Sequence, residues 1–198
     1  MIRHALFGAL CWLSSGLGHA ERLTVTVTDA AGKPLEQAAV SVMVKGARER
    51  ATDATAEVAQ RDRQFLPRVL VVQTGTAVSF PNLDTVRHHV YSFSPIKPFE
   101  IKLYVGTPAH PVVFDKPGTA VLGCNIHDHM AAFVHVVDTP YHARSDANGQ
   151  AHLDLPPGEH RVRVWHPILQ ASGAPLQQPV RIAAGAASTA LAVRLVGP

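Results

Sequence analysis

Residues 116–137 read Lys-Pro-Gly-Thr-Ala-Val-Leu-Gly-Cys-Asn-Ile-His-Asp-His-Met-Ala-Ala-Phe-Val-His-Val-Val. A Lys-Pro-Gly turn leads into a strand over 119–123, and a second strand is expected over 132–137. Cys124 ends the first run, and His127 and Met130 follow at three-residue steps before the second begins. One loop of this length brings a thiolate, an imidazole nitrogen and a thioether to a common point. The set is soft to borderline, which suits copper; a second His completes two imidazoles and a thiolate with a weak axial Met. Hard cations such as Mg²⁺ or Ca²⁺ want oxygen ligands and are disfavoured. A single loop leaves one face of a metal open, so the second His must come from a distant strand. His88 and His89 are the candidates. Cys124 alone would read as an inert buried thiol; its neighbours at this spacing argue otherwise.

Strand patterns extend outward in both directions. Residues 23–28 alternate apolar and hydroxyl side chains at period two, and 40–44 alternate again. Further strands are expected at 69–72, 77–80, 89–93, 101–104, 112–114, 150–155, 160–165, 180–182 and 190–195. Turn signals separate most of them, among them Pro81-Asn82, Asp146-Ala-Asn-Gly149 and Pro156-Pro-Gly158. Residues 45–63 break into charged and polar stretches and read as a connection or an edge. No segment sustains a helical period beyond a couple of turns. The expected fold class is all-β, a sandwich or a pair of sandwiches.

The 198 residues carry a formal charge of +3, 46% hydrophobic and 17% charged residues, a globular composition. Basic residues are scattered and form no block, so nucleic-acid binding is not expected. Arg3 and His4 open the chain, residues 5–18 are apolar or small, and Gly18-His19-Ala20 offers a small-residue cleavage site. That order predicts a secretory signal over residues 1–20 and a periplasmic protein. The apolar stretch is too short to span a bilayer, and no later segment reaches spanning length. Removing 20 of 198 residues takes Cys11 with them and leaves one of the two cysteines, Cys124. A lone thiol in an oxidising compartment calls for an explanation, and a bound metal is one.

Two stretches carry a family resemblance. Gln73-Thr-Gly-Thr-Ala-Val-Ser-Phe-Pro-Asn82, six residues before His88, resembles the cupredoxin strand that runs to an Asn and the first His ligand. The segment from Lys116 to Met130 resembles the closing half of that fold. Its Cys-x-x-His-x-x-Met spacing is similar to the short ligand loop of amicyanin-like cupredoxins, as in exported proteins often labelled methylamine utilisation proteins. The resemblance covers residues 59–140. It implies a Greek-key β-sandwich and one type 1 copper ion, cycling Cu(II) and Cu(I), with His88, Cys124 and His127 as strong ligands and Met130 as axial ligand. His88 is preferred over His89 by its spacing from Asn82, and because period two places His88 and Val90 on one face with His89 and Tyr91 on the other. His89 departs from the Asn that cupredoxins commonly carry there. His129 is read as a solvated loop side chain.

The flanks share a second pattern. Residues 23–44 hold Thr-Asp-Ala-Ala-Gly-Lys-Pro-Leu and a following strand, and 144–166 hold an Asp-x-x-Gly hairpin and Pro-Pro-Gly before another. End to end they resemble a small carboxypeptidase regulatory-like (transthyretin-like) sandwich. The expected organisation is a signal over 1–20, the two parts of this smaller sandwich over 21–58 and 141–198, and the cupredoxin over 59–140 between them. The resemblance implies one-electron transfer and no enzymatic activity, with a periplasmic dehydrogenase or c-type cytochrome as partner. Ile126, Ala131 and Pro95 are candidates for an apolar exit patch, with Arg87, Lys97 and Lys102 to steer an acidic partner. Copper storage, delivery or resistance without productive electron transfer is the alternative, and a metal-free interaction module is the third.

Overall fold

The computed structural model describes residues 20–47, 51–169 and 174–197, so nearly all of the signal read over 1–20 lies outside the described residues. Among them the chain is built of strands: β1 (Glu21–Thr28), β2 (Ala39–Met43), β3 (Thr55–Glu57), β4 (Ala59–Arg61), β5 (Gln64–Leu66), β6 (Val69–Gln73), β7 (Thr76–Ser79), β8 (His88–Ser92) and β9 (Phe99–Tyr104). They continue as β10 (Val112–Phe114), β11 (Gly118–Gly123), β12 (Ala131–Val137), β13 (His142–Arg144), β14 (Gln150–Leu155), β15 (Gly158–Trp165), β16 (Leu176–Ile182) and β17 (Ser188–Arg194). A 3₁₀ turn at Pro167–Leu169 is the one helical element described. The all-β expectation holds. No described helix is long and apolar enough to cross a membrane.

The strands gather around two hydrophobic clusters. In β1 the alternation works as its sequence requires: Leu23, Val25 and Val27 are buried while the residues between them are only partly covered. Its sheet runs β14-β1-β17, and a second sheet runs β13-β2-β15-β16. Leu23, Val25, Val40, Val42, Leu153, Val162, Val164, Ile182 and Leu195 fill the space between them. Each such side chain, once buried, contributes about 1.5–3 kcal/mol of transfer free energy. The remaining strands enclose the other cluster, with a five-stranded sheet, β6-β12-β11-β8-β9, facing a three-stranded one, β10-β7-β3. Phe80, Val90, Phe114, Leu122, Cys124, Met130, Ala132 and Val134 pack inside it.

The two flanks meet by strand pairing. β1 runs antiparallel to β14, pairing Leu23 with Leu153, and β2 runs antiparallel to β15, pairing Val40 with Val164. The inner set joins the outer one through a third small cluster in which Trp165, Val69 and Ala39 are buried against Val71, Phe133 and Leu169. The His135 ring of β12 stacks on Trp165 with centroids 4.9 Å apart and planes 8° from parallel. Polar contacts reinforce this seam: Arg144 donates to Val69 O, Val69 N donates to Gln37 Oε1, and Arg163 pairs with Asp138 at 3.0 Å.

The stretch 45–63, expected as connection or edge, supplies β3 on the rim of its sheet, parallel to β7. It also supplies β4, which turns tightly into β5. That hairpin has no Gly or Asn at its turn. Asp62 and Arg63 take the left-handed conformation instead, at φ 54° and 56°, the geometry of the two-residue turn that best matches strand twist.

Candidate metal centre

Two strand ends and the loop between β11 and β12 converge on one point. β11 delivers Cys124 just past its last residue, the loop 124–130 carries His127, and β8 opens with His88. Strand pairing sets this up: Gly123 pairs with both Ala131 and Tyr91, which locks β11 between β12 and β8 at the level of the loop. Within the loop, Met130 N donates to His127 O at 2.9 Å, a tight turn that returns the chain to β12.

Cys124 Sγ lies 3.9 Å from His88 Nδ1 and 3.8 Å from His127 Nδ1. All three donor atoms fall within 4.8 Å of one another, and no other such cluster occurs among the described residues. Cys124 and His88 are buried and His127 is partly exposed. Met130 is buried in the same hydrophobic cluster as Cys124 and lines the same surface concavity, with Tyr91, Phe93 and Asp128.

The spacing of these atoms suits a metal. With metal–sulfur and metal–nitrogen bonds of about 2.3 and 2.0 Å, donors about 120° apart stand roughly 3.7 Å from each other. The observed 3.8–3.9 Å separations match such a trigonal set. Two imidazoles and a thiolate with a buried thioether nearby is a donor set that favours copper over hard cations.

The upstream strand discriminates between the two adjacent histidines. A bulge between His88 and Val90 shifts the pairing of β8 with β9. His88 turns inward and is fully buried. His89 instead places its ring 5.9 Å from that of Tyr91 and its Nε2 3.0 Å from Glu100 Oε1, outside the cluster. His129 is exposed, with its ring 6.1 Å from that of His127.

The buried His88 ring is held from behind. Asp84 Oδ2 lies 2.7 Å from His88 Nε2, so Nε2–H donates to the carboxylate and Nδ1 presents its lone pair toward Cys124. Asp84 in turn accepts from Asp62 N at 2.7 Å and from Arg63 N at 3.0 Å. Burial pushes the Asp84 carboxyl up, but the hydrogen bonds from Arg63, His88 and Asp62 outweigh it and hold the group below the usual carboxylate range. The His127 imidazole is also lowered, by desolvation first and then by the neighbouring His88, Arg63 and His129. Asn82 organises the chain between: its Nδ2 donates to Val86 O and Tyr104 O, and its Oδ1 accepts from Asp84 N. Beneath this sits Tyr104, whose OH donates to Phe80 O at 2.6 Å and lies 2.8 Å from Gln60 Oε1. Burial pushes its phenol up to about 12.

Asp84 is the residue the sequence reading passed over. Its one local signal is position, two residues after Asn82 and four before His88; its partners Asp62 and Arg63 are 22 and 21 residues away. The expected apolar patch also needs correction. Ile126 is 47% exposed beside His127, but Pro95 lines a different concavity with Gly118, Thr119 and His135. Gly118 opens β11 and Gly123 ends it, so five strand steps, about 17 Å, separate that end from the cluster. Lys97 belongs to the same remote end, paired with Asp115 at 3.5 Å.

No protein-family model matches this sequence, and no curated protein matches it. Among solved structures the chain is similar to a purple cupredoxin from Nitrosopumilus maritimus, with 22% identity and a TM-score of 0.37 over 41% of this chain and 98% of that one. It is also similar to an amicyanin from Paracoccus versutus, with 16% identity and a TM-score of 0.36 over 48% and 97%. A copper-containing nitrite reductase from Thermus scotoductus is similar at 24% identity and a TM-score of 0.40, over 57% of this chain and 28% of that one. At TM-scores below 0.5 these are likenesses and no more. What the site can do is read from its own geometry.

Proposed function

We propose that the chain binds one copper ion through His88, Cys124 and His127, with Met130 as a weak fourth ligand, and uses it to pass single electrons. The observation that carries this reading is the convergence of one thiol sulfur and two imidazole nitrogens within 4.8 Å, brought together by the end of β11, the loop that follows it and the start of β8. Copper bound there supplies the chemistry, alternating between Cu(II) and Cu(I). The protein's part is to hold the donors still. His88 is fixed by Asp84, Cys124 by its place between paired strands, and Met130 by the core around it. Donors that do not move between oxidation states keep the rearrangement cost of electron transfer small. His127 is the donor nearest solvent, and Ile126 beside it offers an apolar contact for a redox partner, with Arg87 and Lys102 exposed nearby in sequence to His88 and on β9. A dehydrogenase or c-type cytochrome is the class of partner that fits.

Export to the periplasm belongs to the same proposal, resting on the pattern of residues 1–20 and on the need to cap a lone thiol under oxidising conditions. So does a carboxypeptidase regulatory-like sandwich made by the two flanks around the cupredoxin. The pairing of β1 with β14 and of β2 with β15 supports it.

The decisive experiment adds Cu(II) to the purified chain and records the visible spectrum before and after ascorbate. The expected result is an intense thiolate-to-copper band, bleached by the reductant and absent in Cys124→Ser. Tight Cu(I) binding with only a weak Cu(II) band would favour storage or delivery. No stoichiometric copper would leave the interaction-module reading.

A further inference from the structure

The β4–β5 hairpin reaches across to the centre with an unusual turn. Asp62 and Arg63 both adopt positive φ, 54° and 56°, a conformation that costs a non-glycine residue free energy and persists where the surroundings enforce it. Its effect is to aim two successive backbone N–H groups at one carboxylate, a small anion-holding concavity. The carboxylate is that of Asp84, and its Oδ2 also receives His88 Nε2–H at 2.7 Å. The chain of contacts thus runs from a strained turn, through one carboxylate, to the buried imidazole of the centre.

We propose that Asp84 is a positioning residue for the metal centre, clamped by the Asp62–Arg63 turn, and that its charge biases the bound copper toward the oxidised state. This rests on the copper reading above. Two consequences follow from the geometry. With Nε2–H committed to Asp84, only Nδ1 of His88 is free to face Cys124 Sγ, so the donor atom is selected before any metal arrives. A carboxylate hydrogen-bonded to the ring also lends it negative charge, which stabilises Cu(II) more than Cu(I). The turn's amides keep that carboxylate in place.

The test uses the full chain. In Asp84→Asn the shape is retained, but the charge is lost and the amide nitrogen cannot accept from the turn. The Cu(II)/Cu(I) equilibrium, read by spectroelectrochemistry, is expected to move toward Cu(I) by about tenfold, a rise of roughly 59 mV for one electron. Asp84→Glu, which keeps the charge, is expected to recover most of the wild-type value. A second measurement needs neither variant nor metal: ¹⁵N shifts of His88 in the metal-free wild-type chain, above the imidazole titration range, are expected to show a protonated Nε2 and a bare Nδ1. A copper-loaded Asp84→Asn chain with an unchanged potential would overturn the proposal, and so would a proton on Nδ1 of the metal-free wild type. Failure of the wild type to take up copper would instead remove the copper reading, while the ¹⁵N shifts still decide whether Asp84 sets the His88 tautomer.

Discussion

His135 sits at the seam between the two sets of strands, and its burial makes the stability of the whole chain depend on pH. Its ring stacks on Trp165, its Nδ1 lies 2.9 Å from Thr119 Oγ1, and desolvation lowers its pKa from 6.5 to about 4. A folded-state pKa below the unfolded one means that the unfolded chain takes up the proton first as pH falls. Stability from this residue is therefore complete above about pH 6.5 and drains away between there and about pH 4. A separation of about 2.5 units, at about 1.36 kcal/mol per unit, bounds the loss at roughly 3 kcal/mol. The perturbation is His135→Phe, which keeps a ring against Trp165 and removes the titration. It leaves Thr119 without its partner, at about 1 kcal/mol independent of pH. Urea unfolding of both chains, in the same metal state at neutral pH and near pH 4.5, isolates the effect, because the other titrating groups cancel in the comparison. The wild type is expected to lose about 2.5 kcal/mol more than the variant between the two pH values. Parallel losses would mean that the ring is hydrated or protonated in the folded chain, and the account of the seam would fail.

Two other perturbations probe the scaffold. Gly149 closes the Asp146 hairpin at φ +74°, and a Cβ there would meet Val27 O at 2.4 Å, whereas Gly185 at φ +76° has open space around it. Gly149→Ala is expected to cost at least about 3 kcal/mol and Gly185→Ala only about 1, as thermal unfolding would show; equal costs would count against the packing of that hairpin on β1. If the flanks form a sandwich of their own, copper should slow backbone hydrogen exchange in β8, β11 and residues 124–130, and leave β1, β14 and β17 nearly unchanged. Uniform protection would mean a single cooperative unit.

The parts of this protein visible in its sequence are those governed by short-range chemistry. The step from Cys124 to His127 to Met130 is set by one loop, and the alternation of Leu23, Val25 and Val27 needs only the two-residue period of a strand. The preference for His88 over His89 rests on its spacing from Asn82 and on the same period; in the folded chain β8 carries a bulge there, with His88 facing Cys124 and His89 facing Glu100. The hairpin of β4 and β5 was hidden because each strand is three residues long and because, of its two turn residues, Asp62 accepts positive φ readily but Arg63 does not. With the hairpin unseen, the role of Asp84 was unseen too, since its anchoring amides come from there. Pro95 was misplaced for a related reason: nothing local reveals that it packs beside Gly118 and Thr119, at the end of β11 remote from the cluster.

The paired flanks have a bearing on the order in which the chain folds. Thr139 Oγ1 donates to Val42 O across 97 residues, and Val42 N donates to Tyr141 O. Joining two points that far apart on an unstructured chain costs about 4 kcal/mol of loop-closure entropy before any sheet contact offsets it. Once the inner strands have folded, however, their entry and exit stand side by side and the same pairing becomes a local event. Inner strands that folded first would therefore shorten the search of β1 for β14 and of β2 for β15, and those pairings would close last among the described strands.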